Sequence, residues 1–368
     1  MDSVTKSALL LNAVRASYSV FKKLCSDYGS EELWSRGSKD SFWKELGLTE
    51  RMCERLSDFL FQGWAEREED NIERFNARFI TANDIDYPVK LLSLDKPPVG
   101  LYVKGWVNLL LPSAAIVGTR KCSDYARATA YNLGYKLALN NVMTVSGGAR
   151  GIDSAGHRGT LSGNGSTVVV FGTGLDKTYP AENRDLFARI LERGAWVSEY
   201  HFGTDGNAWR FPERDRLIAA LSSWVVVGES PEDGGAMHTA RTGKKLGRDT
   251  WSIPGRITDE VSRGTNLLIR EGANIFISID DFIRSIVKGN EQLGFDFDDS
   301  VNAEVSEAPE LSDEEKKVYS VIQKKGSIMI DEVILESGLD FMDVQMAVTN
   351  LEAEGLISGS GGRYSAEH

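Results

Sequence analysis

The run Val142-Met143-Thr144-Val145-Ser146-Gly147-Gly148-Ala149-Arg150-Gly151 passes from an apolar stretch directly into small residues and glycine. The apolar part has the length of a strand, the glycines mark a tight turn, and the residues after Gly151 carry a helical pattern. Outward from it, short apolar runs recur at Ala115 to Val117, Thr167 to Phe171, Trp196 to Val197, Trp224 to Val227, Thr250 to Ile253 and Ile275 to Ile279. Most are separated by helical lengths. Strands that are apolar throughout and alternate with helices predict an α/β fold, a mostly parallel sheet covered on both faces.

The residues that follow these strands carry the functional signal. Gly118-Thr119-Arg120-Lys121, Ser146-Gly147-Gly148-Ala149-Arg150-Gly151, Gly172-Thr173-Gly174 and Gly228 all fall at carboxyl ends. In an open α/β sheet those ends form the ligand crevice. Glycine lets a ligand approach the backbone, and each following helix points its positive end at an anion. Arg120, Lys121, Arg150, Lys177 and Arg184 lie in or just after these turns, so the crevice is suited to phosphate.

The 368 residues suffice for two or three domains. The net charge of -12 conceals an asymmetry: residues 112–286 hold 21 Lys and Arg against 19 Asp and Glu, so the flanks carry the acid. No run approaches the roughly 18 apolar residues of a membrane span, and no leader pattern opens the chain; cytoplasm is the expected compartment. Cys25, Cys53 and Cys122 form no CxxC pair and the four histidines are scattered, so neither disulfides nor a metal site is expected. Helices are expected over residues 1–80: one from Ala8 to Leu24 stopped at Gly29, and others around Phe42-Trp43, over Met52 to Phe61 and over Asn71 to Phe79. Leu101 to Val103 reads as a strand. Residues 287–310 are an acidic linker between a central domain (81–286) and a small last domain (311–368).

Nucleotide fingerprints are missing. The first turn lacks GxGxxG, no GxxxxGK[ST] occurs, and Gly243-Lys244-Lys245 lies late in a helical stretch. No cofactor is expected, and catalytic groups are few. Asp153 and His157, spaced i and i+4, could relay a proton, but the pair is better read as Asp153 capping the helix after the Ser146-to-Gly151 loop with His157 hydrogen-bonded near it. Glu199-Tyr200-His201 has no nucleophile at a telling spacing. Arg210, Arg214 and Arg216 around Phe211-Pro212 fit two readings equally: cations and a ring for a single strand, or a solvated helix start paired with Glu213 and Asp215.

Taken in order, many motifs resemble one family. They are Val117-Gly118-Thr119-Arg120, Ser146 to Asp153, Ala155-Gly156-His157, Gly172 to Asp176, Tyr179-Pro180-Ala181-Glu182-Asn183, Ser198-Glu199-Tyr200 and Phe211-Pro212-Glu213-Arg214. Gly247-Arg248, Ile253-Pro254-Gly255 and Ser262 to Asn266 follow, and Tyr87-Pro88 with Pro97 to Tyr102 extend the match upstream. The chain resembles the DNA processing protein A (DprA/Smf) family. That resemblance implies an extended Rossmann-like core, a helical SAM-like domain before it and a winged-helix domain after it. It implies a dimeric protein that is not an enzyme, binds single-stranded DNA and loads the RecA recombinase during natural transformation, with single-strand-binding protein as a further partner. The DNA-binding residues it implies are Gly118, Thr119 and Arg120; Ser146, Gly147, Gly148, Ala149, Arg150 and Gly151; and Asn183, Phe211, Arg214 and Arg216. The turns described above add Lys121, Lys177 and Arg184 as expected DNA contacts.

The chain departs from the family pattern at Asp215, where an amide is usual, at Ser166 in place of a lysine, and at Gly234 to Ala240, which lacks two serines. Each departure removes a donor or adds negative charge. The last domain has 5 basic and 11 acidic residues, and its third helical stretch has no Lys or Arg. A protein-contact or regulatory role is therefore expected there rather than duplex binding. Two competing readings are a nucleotide phosphoribohydrolase of the same Rossmann variant, whose loop glutamate is missing from Pro231 to Thr239, and a duplex-DNA regulator.

Overall fold

The structure, a computed structural model, describes residues 1–28, 41–291, 312–325, 328–353, 356–360 and 363–366. Gly29 and residues 292–310 of the acidic linker lie outside the described residues, while residues 287–291 belong to a helix. Contacts divide the chain into two compact units, Met1–Gly289 and Asn290–His368.

The first unit opens with α1 (Ser3–Ala13) and α2 (Tyr18–Lys23), which passes into a π-helical turn at Leu24–Tyr28. The sequence pattern suggests one helix here, but the chain breaks between them, with Arg15 in the left-handed region at φ 63°. Next come α3 (Ser41–Glu45), α4 (Glu50–Phe61) and α5 (Trp64–Arg74). The expected helix over Asn71 to Phe79 ends early. Asn76 turns the chain at φ 48°, and Ala77–Thr81 forms strand β1, paired antiparallel with β2 (Gly100–Gly105). Phe79 and Ile80 are apolar enough for either structure, and the open edge of β2 decides for the strand.

Seven more strands complete one sheet: β3 (Ser113–Val117), β4 (Met143–Ser146), β5 (Thr167–Phe171), β6 (Ala195–Ser198), β7 (Trp224–Val227), β8 (Asp249–Ser252) and β9 (Asn274–Ile275). The order is β1-β2-β6-β5-β4-β3-β7-β8-β9, parallel from β6 to β9, with β1 and β2 antiparallel at one edge. The fold is the α/β, mostly parallel sheet expected. The last strand is shorter than expected because Ile279 begins a helix, α12.

Helices α6 (Asp124–Leu139), α7 (Ile152–Ser162), α8 (Arg184–Arg193), α9 (Arg210–Leu221), α10 (Gly235–Lys245), α11 (Arg263–Arg270) and α12 (Ile279–Glu291) cover the two faces. One face packs Ala114, Ile116 and Val226 against Leu133, Ile152 and Phe282; the other packs Val117, Val145 and Val227 against Leu217, Ile218 and Met237. The α6–α7 approach is close enough that a side chain on Gly159 would start 1.8 Å from the Tyr131 carbonyl oxygen. That fit fixes α7, and with it the loop before α7. The N-terminal helices bury Leu9, Leu10, Phe21 and Trp43 in a core shared with Phe79, Tyr102, Phe187 and Phe202.

The second unit runs α13 (Asp313–Lys325), β10 (Ile328–Met329), α14 (Ile330–Ser337), α15 (Phe341–Ala353), β11 (Ile357–Ser360) and β12 (Arg363–Ala366). Its strands form a small antiparallel sheet in the order β10-β12-β11. Val318, Ile322, Val333, Val344, Val348 and Leu351 form its core. Among the described residues no helix is long and apolar enough to cross a membrane.

Candidate nucleic-acid interface

The strand order reverses around β3, which pairs with β4 on one side and β7 on the other. Loops leaving the two sides diverge there and open a crevice at the carboxyl ends. The β3 loop is fixed by Glu229, just after β7. The Thr119 N–H donates to the Glu229 carbonyl at 2.7 Å, and the Glu229 carboxylate accepts from Ser123 N–H at 2.8 Å and Ser123 Oγ at 2.7 Å. Glu229 is buried and ordinary as a sequence signal, so only the fold shows its role.

The β4 loop is shaped by glycines at φ 68° (Gly148) and φ 78° (Gly151). Any side chain on Gly148 would start 2.6 Å from the Phe187 ring. The buried Asp153 carboxylate accepts from the N–H groups of Gly147 (3.2 Å) and Ala149 (3.3 Å). It therefore orders the loop before its helix, and those two N–H groups already have a partner. Burial pushes the Asp153 carboxyl up to about 6, against the pull of Arg214 and the Ala149 N–H. Asp153 and His157 do not form a relay: His157 Nδ1 meets Thr167 Oγ1 at 2.7 Å, and burial lowers the imidazole to about 3.

Two adjoining pockets occupy the crevice. The first, about 100 Å³, is lined by Arg120, Gly147, Arg150, Gly172, Thr173, Tyr179, Phe211 and Arg214, among others. The second, about 380 Å³, is lined by Gly118, Thr119, Arg120, Lys121, Ala149, Asp153, Phe211 and Asp215 with part of α10. Arg120 and Phe211 belong to both. The Arg120 guanidinium carbon lies 5.7 Å from the Phe211 ring centroid, and Tyr179 tilts against that ring at 5.4 Å. Tyr179 is 47% exposed, leaving ring surface free for a planar group. Arg120, Lys121 and Arg150 are exposed; Arg150 pairs loosely with Glu182 at 3.6 Å.

The other expected residues take different places. Arg214 is buried: its Nη1 donates to the carbonyls of Gly147 (2.8 Å) and Val170, and its Nε to Asp215 at 3.0 Å. It clamps the β4 and β5 ends, so its charge is spent mostly inside the protein. Asp215 is that arginine's counter-ion, and burial raises its carboxyl above the usual range against the pull of Arg214. Asn183 is also buried, donating to Gly148 O at 2.9 Å and Ser154 Oγ at 2.8 Å. Ser146 donates to Ile116 O at 2.6 Å. Ser146 and Asn183 hold the loops and line neither pocket, whereas Arg214 holds them and also borders both pockets.

Lys177 sits 3.7 Å from Asp205, Arg184 is exposed at the start of α8, and neither lines either pocket. Arg216 points elsewhere. It grips Glu199 with two contacts of 2.6 Å and lines a separate cavity that includes Arg15, Glu213 and Lys245. The solvated helix-start reading of the α9 arginines holds only for the pairing of Arg214 with Asp215, and that pair is buried rather than solvated. Arg216 pairs with Glu199 instead of Glu213 or Asp215, and Phe211 does reach the crevice. Tyr179 was missed as a site residue, although Tyr179-Pro180 stands in a recognisable run after the Gly172–Gly174 turn.

Residues 78–287 match the model of the DNA recombination-mediator protein A family, more than half of the chain. The chain belongs to this family. Protein Smf of Synechocystis sp. is 32% identical over 319 residues, covering 78% of this chain and 80% of its own. The X-ray structure of DNA processing protein A (DprA) from Streptococcus pneumoniae superposes with a TM-score of 0.66 at 30% identity, covering 77% of this chain and 98% of that one. DNA processing protein A from Helicobacter pylori, whose structure describes a single-stranded DNA binding mode, has a TM-score of 0.53 at 31% identity, covering 58% and 97%. In this DNA recombination-mediator protein A relative the family match spans the whole crevice, from the second residue of β1 into the latter half of α12.

Proposed function

We propose that the chain binds single-stranded DNA in the crevice and passes it to a RecA-type recombinase, as a DNA-binding mediator rather than an enzyme. One observation carries this reading: Arg120, Phe211 and Tyr179 form a cation–ring–ring cluster across two pockets whose rims carry Lys121 and Arg150. Exposed cations suit a phosphodiester backbone, and aromatic faces accept any base, which is the usual combination for a single strand. Family membership and the binding mode described for the Helicobacter pylori relative support it. A rigid duplex has no unstacked base to place on the Phe211 ring.

Within this reading Gly118 to Lys121, Ala149, Arg150, Lys177 and Phe211 contact DNA, while Ser146, Asp153, Asn183 and Arg214 keep the loops in shape. The protein acts in the cytoplasm as a homodimer, in DNA uptake. The second unit is a winged-helix domain that serves protein contacts, because α15 contributes Asp343 and no basic residue. Filter binding with oligo-dT, duplex and RNA at two salt concentrations tests the proposal. Single strands bind far better than duplex, with a log–log salt slope of about -0.7 per phosphate contact. Equal affinity for strand and duplex, or no response to salt, overturns it.

A further inference from the structure

Trp209 is 54% exposed at the start of α9, where a large apolar ring gains nothing from the core. Its surroundings are nonetheless ordered. The Arg210 guanidinium carbon lies 4.9 Å from the Trp209 ring and 5.4 Å from the Tyr200 ring, and Arg210 Nη1 donates to the Asp205 carbonyl. Arg210 N–H donates to Asn207 O at 2.9 Å. A fixed cation therefore backs the indole, and the exposed part of the ring remains for another planar group.

The loop leading to Trp209 borders the first pocket. A side chain on Gly206 would start 3.2 Å from Thr173 Cγ2 and 3.6 Å from Phe211 Cζ, and both residues line that pocket. Trp209 stands two residues before Phe211, within about 7 Å of chain. Lys177, 3.7 Å from Asp205, places a cation beside this loop.

We propose that Trp209 is a base-stacking platform that continues the Tyr179–Phe211 cluster and extends the bound strand beyond the pocket. This rests on the single-stranded DNA reading above. The ring makes no phosphate contact, so its contribution is sequence-tolerant and independent of salt.

The test is affinity for oligo-dT of about 3, 8 and 16 nucleotides, lengths that run from below the usual site sizes to their upper end, with unsubstituted chain, Trp209→Ala, Trp209→Phe, Phe211→Ala and Arg120→Ala. Trp209→Ala weakens binding of the two longer strands about tenfold, leaves the shortest unchanged, and keeps the salt slope. Trp209→Phe restores most of the loss. Unchanged affinity of Trp209→Ala at every length, or equal losses for Ala and Phe, overturns the platform; if Phe211→Ala and Arg120→Ala still weaken binding, the pocket reading survives. No binding by the unsubstituted chain overturns both.

Discussion

The Arg120 guanidinium carbon lies 5.7 Å from the centroid of the Phe211 ring, joining the loop after β3 to the first turn of α9. Neither residue alone makes a site. Arg120 has a phosphate-suited charge without a ring, and Phe211 has a ring in a helix whose Arg214 is turned inward and whose Arg216 pairs with Glu199. Together they border both crevice pockets.

Arg120→Ala and Phe211→Ala are expected to act differently on DNA. The arginine variant lowers affinity for every sequence and flattens the single-strand salt slope by about 0.7. The phenylalanine variant costs about 1–3 kcal/mol with the slope intact. Because the side chains touch, the double variant loses less than the sum. Additive losses in the binding cycle would contradict the coupling, and unchanged affinity for either single variant would remove that residue from the interface.

Arg214→Ala is primarily a folding lesion. It strands the buried Asp215 carboxylate and leaves the Gly147 and Val170 carbonyls without that donor. Breaking such a buried pair costs about 3–5 kcal/mol, whereas the exposed Arg120 can be removed at little cost to stability. Thermal melts of the two variants check this. A melting point for Arg214→Ala equal to that of Arg120→Ala contradicts the clamp.

His157 makes the protein sensitive to acid. Its folded-state value of about 3 lies below the ordinary imidazole value near 6.5, so the unfolded chain binds the proton first. The stability tied to the neutral ring is complete above pH 6.5 and drains as pH falls toward 3, by on the order of 4–5 kcal/mol. Asp153, raised to about 6, works in the opposite sense between pH 6 and 3.8, with a smaller reach. Because Asp153 offsets most of the His157 loss in this window, urea unfolding at pH 7, 5.5 and 4.5 is expected to show only a small loss in the unsubstituted chain and a rise in stability toward pH 4.5 in His157→Gln. An identical pH profile for the variant would refute the assignment.

A chain ending at Glu291 is expected to keep its affinity for oligo-dT within about threefold, roughly 0.65 kcal/mol. The cut belongs after α12, because Phe282 and Ile286 are buried in the core of the first unit. The lost residues carry a net negative charge, so any change is a slight tightening at low salt. A tenfold loss would mean that the second unit grips DNA, with the lysines of α13 the first suspects.

Much of this was already in the sequence. Val142 to Gly151 contains a buried strand, a turn that needs glycine, and a helix start; local sterics and periodicity are enough to read all three. The same local physics located the crevice loops and the charge asymmetry of the flanks. Periodicity failed where a partner element decides: Ala77–Thr81 is a strand because β2 offers an unpaired edge, and Ile279 enters a helix because Phe282 and Ile286 need the core. Direction also lay beyond the sequence. Arg120, Arg214 and Arg216 are the same residue type near the same motifs, yet one faces solvent, one clamps two strand ends, and one pairs with Glu199 in another cavity. A guanidinium goes wherever the folded chain leaves carbonyls or a carboxylate within reach, and only the packing of α9 against the β4 and β5 ends fixes where those acceptors are.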